Sequence, residues 1–271
     1  MLNKLRQLLK NSPSKNWNIE DFSGIDQLHL GGVPATLELL NWLPTTANEG
    51  LDIGCGLDIG CGLGGTSRIL ANMRSFKMMG LDLNPQYIAA ANLLNQSINP
   101  HPKCQFIVGN SLNLPFPQQM FHFVISQHAC MNIEQKEALL KGLYSVLKPK
   151  GHLLIHEIML QPNATPRDVR YPTPWANSTY ESHLCHWQTF KDLALSIGFK
   201  VDRMEDNTQA ELAWIHKTRG QKPKPPFTPS LALGPDAAVM SNNLLSNIDA
   251  GFLQVVSARL SKPLLVHERQ R

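Results

Sequence analysis

Residues Leu51–Ser67 read LDIGCGLDIGCGLGGTS, and the fold turns on how this stretch is read. The hexamer LDIGCG at 51–56 recurs letter for letter at 57–62, and no other such repeat is visible in the chain. It is a short tandem duplication, not a solenoid period, whose units run to roughly 20–50 residues. Only one copy can serve as a strand feeding a loop. The first copy continues Gly56-Leu57-Asp58, with an acid where a third glycine belongs. The second continues Gly62-Leu63-Gly64 and runs straight into a helical pattern. Because six is even, both copies would present the same residues to the same sheet face, so facing does not choose between them. Loop length does. Using the first copy would swell the loop, whereas using the second lengthens the linker before the strand, where insertions are tolerated. The second copy is therefore the expected strand and loop.

Within it, Asp58, Gly60, Gly62 and Gly64 stand at alternate positions before a helix. Glycines permit positive φ and a close approach of backbone to ligand, and a helix N-terminus adds unpaired N–H groups. Asp82 follows at the end of the next apolar stretch, about 20 residues on, where a carboxylate accepts from ribose hydroxyls. The combination predicts nucleoside binding. A G-x-G-x-x-G reading is met only by taking Gly65 in place of Gly64 as the third glycine, and an acid at Asp58 suits a ligand ammonium or the loop itself better than a pyrophosphate, which argues against a nicotinamide dinucleotide.

Outward from this loop, strand and helix patterns alternate. Residues 33–43 read as a helix with Leu37, Leu40 and Leu43 on one stripe, and Gly64–Met73 as the helix opening on the loop. Met78–Leu83 is a strand, Tyr87–Leu94 a helix, Phe106–Val108 a strand before the turn-rich GNSLNLPFP, and Phe121–Ser126 another strand. Residues 134–147 form a helix, with Asn132 and Gln135 in capping-box spacing and Lys148-Pro149-Lys150-Gly151 as its stop. Strands at Leu153–Ile158, near 199–204 and at 252–260, with a helix at 186–197, complete the series. Such alternation predicts an α/β fold, a parallel sheet with helices on both faces. Gln161–Ser182 breaks the rhythm with four prolines, Trp175 and two tyrosines, and reads as a lid or pocket wall. KPKPPFTPS at 222–230 reads as an exposed linker.

Composition narrows the function classes. The 271 residues are 42% hydrophobic and 17% charged, which is globular, and a net charge of +4 without a dense Lys/Arg block does not suggest a nucleic-acid or membrane-surface partner. MLNKLRQLLK at the start is a short amphipathic helix pattern, not an apolar leader, and no apolar run approaches the ~18 residues of a membrane span. A cytoplasmic location is expected. The five cysteines, Cys55, Cys61, Cys104, Cys130 and Cys185, form no C-x-x-C pair, so neither a disulfide framework nor a metal site is expected.

The chain resembles the class I S-adenosylmethionine-dependent methyltransferases. LDIGCGLGG looks like their first motif, GLDLNP their second, GNSLNLPFP with FHFVISQHACMNI their third and fourth, and LKPKGHLLI the entry to their fifth strand. These matches span most of residues 50–160 in the right order. DQLHLGGVPATLELL (Asp26–Leu40), HEIM followed by YPTPWA, and SNNLLSNIDAGFLQVVSARLSKP resemble bacterial small-molecule enzymes of the sarcosine/dimethylglycine type. The resemblance implies a Rossmann-like, mostly parallel seven-stranded sheet. It implies S-adenosyl-L-methionine as cofactor, with Gly60, Gly62 and Gly64 along the methionyl moiety and Asp82 on the ribose. It sets Leu83 beside the adenine, Asn110, Ser111 and Leu112 at the adenine edge, and Gln127 at the start of the wall facing the substrate. Asn110 and His122 depart from the family, which commonly has acids there. It further implies an N-terminal extension, residues 1–32, covering the active site, and a domain at 33–271 with a lid at about 161–185.

Methyl transfer from a sulfonium is an in-line displacement, so alignment and exclusion of water dominate, and a base is needed for a hydroxyl or carbon acid but not for a neutral amine. His128, just after the fourth strand, and His29, in the LHLGG segment, are the candidate bases. His156 and Glu157 are adjacent on a strand and point to opposite faces, so at most one faces the site. Glu157 is the candidate partner for an ammonium substrate, Tyr171 and Trp175 for cation–π contact with a methylated amine, and Met131 for the substrate wall. The expected acceptor is a small amine such as sarcosine or dimethylglycine. The alternative within enzymes is C- or O-methylation of a quinone, phenol or other apolar molecule, favoured by an apolar lid lacking acids. A non-catalytic binding protein on the same fold is the alternative from another class.

Overall fold

The computed structural model describes residues 1–11, 16–44, 54–74, 76–99, 102–218 and 227–264. Seven strands form one sheet: β1 (Cys55–Ile59), β2 (Lys77–Asp82), β3 (Cys104–Val108), β4 (Phe121–Gln127), β5 (Leu147–Leu160), β6 (Lys200–Asp206) and β7 (Leu253–Ser261). Their order is β3-β2-β1-β4-β5-β7-β6. The first five pair in parallel, and β7 runs antiparallel between β5 and β6. The helices are α1 (Leu2–Lys10), α2 (Ser23–Asp26), α3 (Gly32–Asn41), α4 (Gly65–Arg74), α5 (Pro85–Ser97), α6 (Lys136–Val146), α7 (Trp187–Ile197), α8 (Thr208–Thr218), α9 (Ser230–Leu233) and α10 (Ala237–Asp249).

The apolar runs in the central strands are buried on both faces, as parallel sheets require. Val124, Leu153 and Ile155 face Leu139, Leu140 and Leu143 of α6 and Phe190 of α7. Their neighbours Phe123, Ile125 and Leu154 point the other way, onto Leu39 and Leu40 of α3 and Leu70 of α4. The strand order reverses between β1 and β4, and in open α/β sheets the crevice at such a switch is where ligands bind. Among the described residues no helix is long and apolar enough to cross a membrane.

The duplication divides between strand and linker. β1 begins with Cys55–Gly56, the last two residues of the first copy, and continues through Leu57–Ile59 of the second, which also supplies the loop. Residues 51–53 lie outside the described residues. Gly56 is held by packing, because a Cβ there would lie 2.3 Å from the Phe123 ring and 2.8 Å from Met78 Sδ.

Three expectations need correction. The helix expected at 134–147 starts at Lys136, with Gln135 as an N-cap that makes no side-chain cap bond. Asn132 instead closes a 3-10 turn, Cys130–Asn132, because that turn is pinned from below by Glu157. Leu147 belongs to β5, not to the helix. The supposed linker at 222–230 is not all exposed: residues 222–226 lie outside the described residues, but Phe227 is 2% exposed and packs edge-on to Trp17 and Phe22. The Pro-rich stretch after β5 has little regular structure but is tied to α10, whose Asn247 side chain bonds both Arg170 N–H and Arg170 C=O while Asn243 donates to Pro172 O.

Deleting Leu51–Gly56 brings Gly50 into the position of Gly56 and preserves the one residue type that fits there. The shortened protein should fold with a denaturation midpoint close to that of the full chain. Gly56→Ala in the full chain should cost about 1–3 kcal/mol by forcing Phe123 or Met78 aside. Equilibrium denaturation of both variants checks this, and an unfolded deletion variant would show that the extra hexamer is structural.

Candidate active site

At the switch point the chain leaves β1 through Gly60-Cys61-Gly62-Leu63-Gly64 and enters α4. Gly62 has φ +53°, and no atom lies within 4 Å of where its Cβ would stand, so this face of the loop is open. The space it opens onto is a cavity of about 830 Å³. Gly60 and Gly62 lie on its wall, whereas Gly64 makes the turn behind Phe106 and does not.

Asp82, at the end of β2, is the acid of this end. Its Oδ2 accepts the Gly62 N–H at 2.9 Å and its Oδ1 the Asn84 N–H at 2.8 Å. Burial raises its carboxyl above the ordinary value, and the two amides pull back the other way. Leu83 stands at the mouth, 70% exposed. Asn110, Ser111 and Leu112 line the same end, with Asn110 Oδ1 accepting the Leu112 N–H at 2.9 Å. Asp58 reaches the wall but is 2% exposed and accepts the Ser67 hydroxyl at 2.7 Å. Burial pushes it up to about 7, so it serves the loop and α4 before it serves any ligand.

The other end is built from the β4 exit and the N-terminal segment. Gln127, His128, Met131, His29 and Trp175 all face the cavity. Gln127 Oε1 accepts hydroxyl protons from Thr66 at 2.8 Å and from Thr36 at 3.2 Å, and its Nε2 is buried without a partner. His29, His128 and His156 form a cluster with ring centroids 5.3 to 6.1 Å apart, His128 and His156 stacked in parallel. Burial drives all three toward the neutral form: His29 down to about 4, His156 to about 3, and His128 well below its ordinary value. They do not converge on a point, and among the described residues no group of His, Cys, Asp or Glu is disposed to hold a metal ion. All five cysteines are free.

Not every candidate reaches the cavity. His156 and Glu157 do point to opposite faces, but neither is on the wall, because β5 is covered on both sides. His156 bonds Ser257 Oγ at 2.8 Å and Leu30 O at 3.2 Å. Glu157, fully buried, accepts the Ser126 hydroxyl and the N–H groups of Ala129 and Cys130, so the carboxylate expected to meet an ammonium instead holds the turn that carries His128. Tyr171 packs among Leu160, Val169 and Leu244 behind the wall, its hydroxyl buried without a partner. Trp175 is on the wall, its Nε1–H donating to Ser182 Oγ at 3.0 Å. His122 accepts the Cys55 N–H at 3.1 Å and lies 3.0 Å from Lys148 Nζ, away from the cavity.

The sequence reading missed Thr36, Thr66 and the buried Asp26–Arg68 pair, 2.7 Å apart. Arg68 also donates to Leu63 O, binding the N-terminal segment to the glycine loop. Asp26 reaches the wall, and burial pushes it up to about 6 against the pull of Arg68. A polar residue in the first turn after a glycine loop was the only signal for Thr66. Among the described residues the wall carries no Lys or Arg, and its acids are Asp26, Asp58, Asp82 and the exposed Glu134.

Residues 57–155 match a family described as a methyltransferase domain. The 2-methyl-6-phytyl-1,4-hydroquinone methyltransferase of Synechocystis sp. is 36% identical over 105 residues, 39% of this chain and 30% of that protein. The chain spans about a third of the length of the first curated relatives it matches. Among solved structures, phosphoethanolamine N-methyltransferase 2 of Haemonchus contortus, crystallised with S-adenosyl-L-methionine, is similar at TM-score 0.67 and 19% identity, over 96% of this chain and 60% of that one. A structure from Galdieria sulphuraria assigned as a sarcosine dimethylglycine methyltransferase is similar at TM-score 0.62 and 18% identity, over 78% of this chain and 79% of that one. The fold is that of the class I S-adenosylmethionine-dependent methyltransferases.

If Asp82 is the ribose acceptor, Asp82→Ala should weaken S-adenosylhomocysteine binding by about 1–3 kcal/mol, the loss of a charge-assisted hydrogen bond. Titration calorimetry reads this directly, and unchanged affinity would remove Asp82 from the cofactor site.

Proposed function

We propose that this chain, whose residues 57–155 match a methyltransferase domain family, transfers a methyl group from S-adenosylmethionine to an oxygen of an uncharged, largely apolar small molecule. The cofactor fits the glycine-loop end. Asp82 keeps lone pairs free for ribose hydroxyls after accepting two amides. The open face of Gly62 admits the methionyl chain, and Leu83 with Asn110–Leu112 would hold the adenine. The cofactor supplies an activated methyl group, and the protein aligns, desolvates and takes up a proton.

The observation that carries the acceptor class is the charge of the opposite end. Neutral imidazoles and apolar side chains line it, and among the described residues no Lys or Arg does and no buried carboxylate is unengaged, the solvent-exposed Glu134 being the remaining acid on the wall. Sarcosine and dimethylglycine, the acceptors expected from the flanking resemblance, each carry an ammonium and a carboxylate. Neither charge finds a counterpart here, since Glu157 is fully engaged beneath the turn. Burying such a charge unpaired is costly. A hydroxyl needs only a base within reach, and a neutral His29 or His128 is one. Protonation of a buried histidine is opposed in the empty cavity. During transfer, however, the positive charge leaves the sulfonium as the imidazole gains it, so the net charge of the site does not change.

Incubation with labelled S-adenosylmethionine and an acceptor panel tests this. Simple phenols and hydroquinones should be methylated, and sarcosine and dimethylglycine should not; the reverse result sinks the proposal. The acid limb follows from the histidines. A free imidazole is half protonated near pH 6.5. Here the base stays neutral to lower pH, because burial lowers His29 to about 4 and His128 well below its ordinary value. Turnover should therefore hold nearly level from pH 8 to pH 6, and a half-loss near pH 6.5 would mean that an exposed group is the base.

A further inference from the structure

We propose that Thr36, on α3, is the positioning residue of the acceptor site, its hydroxyl linking His29 to Gln127 and holding His29 in the tautomer whose lone pair is left for the acceptor. The inference rests on the hydroxyl-acceptor reading above.

Thr36 is fully buried, and its Oγ1 lies 3.1 Å from His29 Nε2 and 3.2 Å from Gln127 Oε1. It also lies 3.3 Å from Gln27 Oε1. A hydroxyl has one proton and two lone pairs. Both amide oxygens accept only, so the single Thr36 proton is committed to them. His29 Nε2 must then be the donor toward Thr36. The second neighbour of Nε2 agrees: the Gly32 carbonyl, at 3.0 Å, has no proton to give. His29 therefore carries its proton on Nε2, and its lone pair resides on Nδ1.

His29 faces the cavity, so Nδ1 is the atom left for a ligand proton. The same reasoning orients Gln127. Two hydroxyls donate to its Oε1, which fixes the amide with Nε2 turned away from them. That nitrogen is buried and unpartnered, so Gln127 acts here by accepting from Thr36 and not as a donor to a ligand. His29 and Gln127 are thus linked through one buried oxygen. His128 has no such fixation, since its Nε2 is buried without a partner.

In the transfer step the acceptor O–H gives its proton to Nδ1 of His29 and keeps the bonding pair. The oxygen–carbon bond forms as the carbon–sulfur bond of the donor breaks, that pair staying on sulfur as a neutral thioether.

Two measurements test the assignment. Imidazole ¹⁵N–¹H correlation spectra of the S-adenosylhomocysteine-bound protein require no acceptor and should show His29 protonated at Nε2; an Nδ1–H tautomer overturns the proposal. The kinetic arm uses methylhydroquinone as the probe. Thr36→Val should lower kcat about tenfold, with the affinity for S-adenosylhomocysteine within about twofold of the original, a coupling of the size seen within hydrogen-bonded networks. Thr36→Ser, which keeps the hydroxyl, should retain most of kcat. Full turnover in the valine variant, or equal impairment of both variants, overturns the proposal. If the unaltered protein methylates no hydroxyl compound, the hydroxyl reading fails on its own, and the spectrum still decides the tautomer.

Discussion

The hydrogen bond from the Gly62 N–H to the Asp82 carboxylate ties the end of β1 to the end of β2, and the whole ligand cavity is arranged around it. It fixes the glycine loop at a positive φ that only glycine adopts cheaply and turns the carboxylate toward the crevice. The acid cannot withdraw, because Asn84 N–H holds its other oxygen as α5 begins. A short local pair of bonds therefore sets the distance between the loop and the acid, the two features that single out the candidate site in the sequence.

Those features were legible because they are local. Alternate glycines, a following helix and an acid after the next apolar run are fixed by backbone geometry within about 30 residues of chain, as in other βαβ nucleotide sites. The parallel core was legible for the same reason: β4 and β5 each carry an unbroken apolar run, Phe123–Ile125 and Leu153–Ile155, and only strands covered on both faces tolerate that. The duplication was resolved by loop length, although the strand proved to borrow Cys55 and Gly56 from the first copy.

What local pattern could not reveal was set by distant partners. Asn132 and Gln135 have capping-box spacing, but the 3-10 turn next to them is held by Glu157 from another strand, and local propensity yields to that. α8 and α10 were not anticipated: α10 places its buried Leu244, Leu245 and Ile248 only in its second half. α8 buries two polar residues, Thr208 and Glu211. Phe227 sits in a Pro-rich stretch that reads as solvent-exposed, yet it completes an aromatic cluster with Trp17 and Phe22 from the opposite end of the chain. A threonine in the middle of α3 gives no sign in sequence that two cavity residues depend on it.

The buried ionisable groups share one tendency, and it gives the site its character. Desolvation disfavours whichever form is charged, so acids rise and histidines fall. Asp58 is pushed up to about 7 and Asp26 to about 6, while His29 falls to about 4 and His156 to about 3. For stability the two sets act in opposite directions. As pH falls from 7 toward 4, the unfolded chain takes up protons on its histidines, which weakens the fold, while the folded chain takes up protons on Asp26 and Asp58 before the unfolded chain does, which strengthens it. The opposition keeps the fold from depending on any single titration. The acids cluster with the glycine loop, Ser67 and Arg68, and the histidines with the β4 exit and α3. The cavity thus has a carboxylate end suited to ribose hydroxyls and an end lined by neutral imidazoles and apolar side chains, where the remaining wall acid, Glu134, is open to solvent.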